Sequence, residues 1–311
     1  MKFWIPLACV LTIAGTTVTA HAKITRTVEK TFAVQTGGRL SAETQGGNIT
    51  VKAEDTNEVR VVVTQTIDAS TDAAADKLLE KLKLTLDQQA NDVTVIAKFE
   101  RPFTSMWDRN SVLVSYTITV PRQFHLQLNT SGGDITVASV KGTVSARTSG
   151  GNLWFERVDG DLDGKTSGGN VTLKEGSARA HVSTSGGNIQ IERATGPVTA
   201  STSGGDIKIQ SASQVVSAST SGGNITAKLT DPLQQDSTLH TSGGNVTVSV
   251  LRSAGFVLDA ETSGGDVQTG DLALSNVQMN KSKSRVTATV NAGGPKLSLR
   301  TSGGDIRVRA D

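Results

Sequence analysis

The 311-residue chain is short of almost everything that usually builds a compact enzyme: one cysteine, one tyrosine, six prolines, four histidines, and aromatic residues at only 4%. The cysteine, Cys9, sits in an apolar run near the N-terminus. The rest of the chain therefore offers no disulfide, no thiolate metal site and no thiol chemistry. Charge of one sign is lacking too. With 31 Lys and Arg against 29 Asp and Glu, nothing marks nucleic acid or an anionic membrane as a generic partner. No apolar stretch reaches the roughly 20 residues that cross a bilayer; the run from Phe3 to Ala14 is too short.

That run has another reading. One basic residue, Lys2, precedes it, and small residues ending in Ala20-His21-Ala22 follow it. This is the layout of a secretory signal peptide over 1–22, with the mature chain starting at Lys23. Export is expected, to the periplasm, the cell surface or the medium, with no transmembrane segment left after cleavage.

Glycine, at 32 residues, is what the chain has in plenty. Much of it falls in one motif, Thr-Ser-Gly-Gly followed by Asn or Asp and an aliphatic residue. The motif starts at Thr130 and returns at Thr148, Thr166, Thr184, Thr202, Thr220, Thr241, Thr262 and Thr301, with a Gln-containing variant at Thr44. The first five steps are each 18 residues, the next two 21, and the last 39. A fixed period near 20 signals a solenoid. Residues one and three places after the Asn/Asp are aliphatic, as in Ile135 and Val137, Leu153 and Phe155, Val171 and Leu173. Alternation recurs before each Thr, as in Val144 and Ala146 or Val216 and Ala218. Each unit thus holds two short strands with one buried face. The expected class is all-β: a parallel β-solenoid or β-helix with about 18 residues per rung, over 130–311.

The glycines are expected to supply positive φ and close backbone approach at a tight corner. The following position, Asp134, Asn152, Asn170, Asn188, Asp206, Asn224, Asn245, Asp266 and Asp305, is expected to stack as a structural turn ladder. Asn tolerates left-handed geometry there, and interspersed amides relieve carboxylate repulsion.

Residues 23–129 read as a β-rich capping region with one helix at about 71–82. The helix runs from a Ser70 or Thr71 cap through Ala73 to Leu82. The cap would cover unpaired backbone at the first rung. Within it, Phe103, Met106 and Trp107 cluster in a Pro-containing loop, either as junction filling or as a contact patch.

The run Val120-Pro121-Arg122 then Leu128-Asn129-Thr130-Ser131-Gly132-Gly133-Asp134-Ile135, with its tandem copies and the ending Thr301-Ser302-Gly303-Gly304-Asp305-Ile306, resembles the bacterial putative-adhesin family. These are exported or envelope-associated proteins. The resemblance implies a right-handed parallel β-solenoid and carries no catalytic residues with it.

Chemistry-bearing constellations are sparse. His125, His181 and His240 are too far apart to share a metal. Asp259 and Glu261 are adjacent outward carboxylates, with Thr238, His240, Ser298 and Arg300 expected on the neighbouring rungs. Asp159, Asp161 and Asp163 match the start of a calcium loop, but the twelfth position is Asn170, where a Glu is expected. Outward Ser and Thr residues, from Ser145 to Thr238, make a flat hydroxyl field, and Trp154 is expected to point outward. The function read from these residues is an exported non-enzymatic β-solenoid, an adhesin-like or interaction scaffold at the bacterial cell envelope. Its partner would be a protein or glycan, with no cofactor, metal or nucleic acid. The alternatives are a polysaccharide-active β-helix enzyme and a calcium-stabilised structural rod.

Overall fold

The computed structural model describes residues 23–99, 112–280, 282 and 284–311. It is all-β apart from one helix: a 25-stranded sheet wound into a long β-helical body. Residues spaced 18 apart lie side by side through its middle. Leu153 pairs in parallel with Ile135 on one side and Val171 on the other, and Val171 pairs with Ile189. All four are buried. Stacking turns each aliphatic position into a continuous internal file, because a single two-strand coil cannot bury its own apolar face. Size is compensated between files. Gly164 takes an inward position, and a Cβ there would lie 3.2 Å from the ring of Phe155, which fills the space.

Three contacts per layer form the corner. The Thr hydroxyl is buried and donates to a glycine carbonyl of the preceding layer, as from Thr148 to Gly133 O (2.9 Å) and Thr166 to Gly151 O (2.7 Å). The same oxygen accepts from the second glycine of its own motif, Gly151 N–H to Thr148 Oγ1 at 3.3 Å. The Asn/Asp Oδ1 then accepts the backbone N–H of its counterpart in the next layer. Asn152 N donates to Asp134 Oδ1 at 2.6 Å, Asn170 N to Asn152 Oδ1 at 2.8 Å, and Asp206 N to Asn188 Oδ1 at 2.8 Å.

This corrects two expectations about the corner. None of the glycines in these motifs has positive φ, and neither do the Asn or Asp residues that follow them. The second glycine of each motif is there for close approach: a Cβ on Gly151 or Gly169 would stand 2.0 Å from the carbonyl oxygen of the layer before. The ladder is likewise a side-chain-to-backbone ladder. It needs an acceptor oxygen, which Asn and Asp both supply, and the amide N–H₂ adds only secondary contacts such as Asn224 Nδ2 to Asp206 Oδ1 at 3.2 Å.

A third correction concerns layer order. The strands Lys296–Thr301 and Ile306–Ala310 slot between Ser237–Thr241/Val246–Val250 and Phe256–Thr262/Val267–Gln268. The final motif is therefore the penultimate layer. Thr301 bonds Gly244 O and Thr262 bonds Gly304 O, both at 2.7 Å. Asp305 and Asp266 are ladder neighbours in either order, now with Asp305 on the inner side, and Arg307 holds the Asp305 carboxylate at 2.7 Å. The 39-residue step holds this return, an antiparallel excursion through Leu274–Met279 and Arg285–Val290 that covers Phe256–Thr262. Val216 also departs from expectation. A register shift pairs Val215 with Val198, so Val215 is the fully buried residue.

At the other end, Gly38–Thr44 and Ile49–Glu54 form a layer of the stack, inside an outermost parallel layer of Asp92–Phe99 and Val112–Pro121. Antiparallel strands Leu82–Gln89 and Glu58–Ile67 close that layer's outer edge. The expected 129/130 division falls within the strand Phe124–Thr130. The helix is Asp72–Leu79, with Thr71 as N-cap accepting from Ala74 N. It stops short of the expected 82 because Leu82 already begins a strand.

If close approach fixes the corner, adjacent glycines differ sharply in tolerance. Gly169→Ala should cost about 3 kcal/mol, the upper range for overpacking. Gly168→Ala, whose Cβ would clear Gly150 O by 3.5 Å, should cost about 1 kcal/mol or less. Comparing their urea midpoints tests this; equal midpoints would refute it.

Candidate interaction surfaces

With the backbone paired within the stack, what remains for other molecules is the outward side of each strand set. On the set after the Asn/Asp corner, Trp154 lies between Thr136 and Thr172 in register. It is 41% exposed, as expected, with the Lys174 ammonium 5.1 Å from its ring centre. Beside it runs a concavity of about 630 Å³ lined by charged residues, three of which form ion pairs. Arg157 Nε lies 2.9 Å from Glu175 Oε2, and Arg193 approaches the same carboxylate at 4.0 Å. Phe103 and Trp107 lie outside the described residues.

The set before the Thr corner carries the hydroxyl field. Thr199, Ser217 and Thr238 fall in one file, and Ser183, Ser201, Ser219 and His240 in the next. His181 and His240 lie three layers apart along these files. Nearer the N-terminal end the same face bears a concavity of about 530 Å³ whose lining includes Arg39, His125, Asp161, Asp163, Arg179 and His181. Two of the candidate calcium-loop residues, Asp161 and Asp163, are here, and both have other partners. Arg179 donates to Asp161 at 3.1 Å, and Arg147 pairs with Asp163. Leu162 and Gly164 between them face the core. Among the described residues no group of three or more His, Cys, Asp or Glu side chains is placed to hold a metal ion.

The Asp259–Glu261 pair sits differently from expectation. Its in-register neighbours are Thr287 and Ser298 for Asp259, and Arg285 and Arg300 for Glu261. Thr238 and His240 are one layer further away, because the final motif intervenes. Asp259 is also only 7% exposed. Lys296 Nζ contacts its Oδ2 at 2.6 Å and Arg300 Nη2 at 2.8 Å, while Oδ1 is buried without a hydrogen-bond partner among the described residues. Burial pushes this carboxyl up, but the hydrogen bonds and charges of Arg300 and Lys296 outweigh it and hold the group below the usual carboxylate range. Both cations come from the inserted strand. Asp259 therefore clamps that layer, and at neutral pH it has no proton to donate as a general acid. Sequence reasoning placed Arg300 on a neighbouring rung but missed Lys296 and the burial of Asp259 that together make the contact a clamp.

Comparison with known proteins follows from this architecture. Residues 38–309 match the family described as Toastrack DUF4097. Among solved structures, one described as a "putative lipid binding protein" from Parabacteroides distasonis ATCC 8503 is 14% identical. Its TM-score is 0.45, over 91% of this chain and 96% of that one. A "putative adhesin" from the same strain gives 14% and 0.44 over 92% and 97%. Another from Bacteroides fragilis NCTC 9343 gives 13% and 0.39 over 92% and 97%. No curated protein sequence matches.

Two predictions follow. A carboxylate held ionised in the folded state stabilises it above the ordinary carboxyl pKa of about 3.9, and that stabilisation fades as pH falls through the lower folded value. Asp259→Asn should therefore cost about 1–3 kcal/mol at pH 7, and the gap to the unaltered protein should close below about pH 4. A gap constant from pH 7 to pH 3 would contradict the clamp. For calcium, thermal melting with and without chelator should give one midpoint; a chelator-dependent drop would restore the calcium-stabilised rod.

Proposed function

This chain belongs to the Toastrack DUF4097 family, and on that premise we propose that it is an exported, non-enzymatic β-solenoid acting as an adhesin-like or interaction scaffold at the bacterial cell envelope. The observation that carries the reading is the pair of long outward strand faces, on which equivalent side chains repeat layer after layer over a backbone already paired. Such a surface suits many weak contacts along an extended partner better than one deep substrate pocket.

The finer parts of the reading rest on the chain itself. The 18-residue parallel rung follows the spacing of the Thr-Ser-Gly-Gly motifs, and right-handed winding follows the family resemblance. Removal of residues 1–22 and export follow the layout around Lys2 and Ala20-His21-Ala22. We keep 23–129 as a capping region in organisational terms, with 130–311 as the repeat body. We also keep Asp134, Asn152, Asn170, Asn188, Asp206, Asn224, Asn245, Asp266 and Asp305 as structural ladder residues. Trp154 is the proposed contact on the repeat body, with Trp107 and Phe103 as proposed contacts from the aromatic loop. A protein or glycan of the envelope is the proposed partner. The polysaccharide-active enzyme is the less favoured reading, since the carboxylate it would use is bound by two cations.

Crosslinking in the native host followed by an envelope-fraction pull-down tests the proposal. Trp154→Ala and Trp107→Ala should each reduce capture several-fold, as expected for an aromatic anchor worth about 1–2 kcal/mol. Capture unaffected by both would remove them as contacts, and product release from a glycan, lost on Glu261→Gln, would favour the enzyme.

A further inference from the structure

The file of outward side chains that contains Trp154 has a composition of its own. In register it runs Thr117, Thr50, Thr136, Trp154, Thr172 and Gln190 across six successive layers, and the next residue is Lys208. With layers about 4.8 Å apart, the uncharged stretch is about 24 Å long. Trp154 is its one aromatic, standing between shorter threonines. The Lys174 ammonium, 5.1 Å from the ring centre, attracts the ring and steadies it. The borders of the file carry charges of both signs. Two residues further along the same strands stand Lys52, Ala138, Glu156, Lys174 and Glu192. Two residues back lies the corner ladder, where Asp134 is the one charge among Asn48, Asn152, Asn170 and Asn188. Its Oδ1 already accepts from Asn152.

Hydrogen-bonding groups on the strip are unused. Among the described residues the side chains of Thr50, Thr136, Thr172 and Gln190 have no partner, and neither has the Trp154 indole N–H. The ladder beside them uses only Oδ1: Asn170 Oδ1 accepts from Asn188 N–H, and Asn188 Oδ1 from Asp206 N–H, both at 2.8 Å. Those bonds fix the orientation of each amide and leave Nδ2 of Asn170 and Asn188 as exposed donors.

We infer that this strip binds a neutral, extended glycan of all-equatorial β-linked hexoses, lying along the stack axis with one ring stacked on Trp154. The inference rests on the interaction-scaffold reading and names the ligand of its Trp154 face. Such a sugar ring presents a flat face of C–H bonds to the indole, which is apolar over most of its surface with one polar N–H. Its rim of hydroxyls both donates and accepts, as do the threonines and Gln190 one or two layers away. A chain with a like charge on every unit would meet attraction and repulsion in turn, because lysine and glutamate alternate along one border. A protein partner suits the strip less. Anchor residues at protein interfaces gather around a desolvated centre, whereas the other exposed large hydrophobics, Val28, Val277 and Met279, lie on strands at the two ends of the stack. Nor can a peptide add here as a strand, since Leu153–Val158 is paired on both edges. A nucleic acid needs cations along its path and would meet Glu156 and Glu192.

Isothermal titration of the purified chain with cellohexaose, maltohexaose and the β-1,4-linked hexamers of glucosamine and glucuronate tests this. Cellohexaose should bind with an affinity that salt does not change. The two charged hexamers should bind no more tightly. Maltohexaose, whose α-linkages curl the chain away from a straight strip, should bind at least tenfold more weakly. Trp154→Ala should lower the affinity for cellohexaose at least about tenfold, as for an aromatic anchor. Thr136→Val and Thr172→Val keep the side-chain shape and should each lower it about fivefold, the size of one neutral hydrogen bond. Neither hydroxyl has a partner within the protein, so the melting midpoints of those two variants should not move. Thr199→Val, on the other strand set, should leave affinity unchanged. No binding of cellohexaose, tighter binding of either charged hexamer, equal binding of maltohexaose, or indifference to Trp154→Ala would overturn the inference. If cellohexaose fails to bind while Trp154→Ala still reduces capture of an envelope protein, the glycan falls and the scaffold reading stands. If neither a hexamer nor any envelope partner is held, both fall.

Discussion

The structure depends on how closely one layer can lie on the next at the Gly-Gly corner. A glycine Cα sits directly over the preceding layer's carbonyl, where a Cβ would stand about 2 Å from oxygen. Only with that contact made can the Thr hydroxyl reach the same carbonyl, and only then does the Asn/Asp Oδ1 meet the next layer's N–H. Each bond is worth on the order of 1 kcal/mol net. Their effect is geometric as much as energetic, because they set the register that brings aliphatic side chains into internal files. Shifting one layer by a residue would turn its buried face to solvent.

A register enforced at the corner has consequences on the outside. Side chains facing solvent are also in file, so one choice of residue is repeated or answered at the spacing of the strands. On one strand set Glu156, Arg157, Lys174, Glu175, Glu192 and Arg193 balance one another in this way. The same rigidity that makes the corners poor active-site loops makes the strand faces good rulers.

Much of the fold could be read from residue spacing because the repeat is local: Ile135, Leu153, Val171 and Ile189 announce their shared file at intervals of 18. The reasons for the corner were less legible. Glycine at a turn suggests positive φ, yet these glycines have ordinary φ, and what excludes a side chain is another layer of the chain. The Asn/Asp alternation suggested amide stacking, when a single acceptor oxygen suffices. Trp154 was legible as exposed because strand alternation fixes its side. The meeting of Arg39 with His125 was not, because they are 86 residues apart in the chain and fall in register only once Gly38–Thr44 is known to lie against Phe124–Thr130.

The exchanged order at the C-terminal end follows from the same constraint. A last layer added in sequence order would leave its parallel edge open along its whole length, and such an edge is a template for another chain. Here the final strands are buried between two layers. The layer left outermost is short on one strand, Val267–Gln268, and on the other is covered by the antiparallel strand Arg285–Val290. At this end two aspartates are neighbours on the ladder and a third lies under cover. Each of the three problems is met by a cation or a backbone donor: Arg307 on Asp305, Asp266 N–H on Asp305 Oδ1, and Lys296 with Arg300 on Asp259. The charged residues concentrated at this end thus answer to closing the stack.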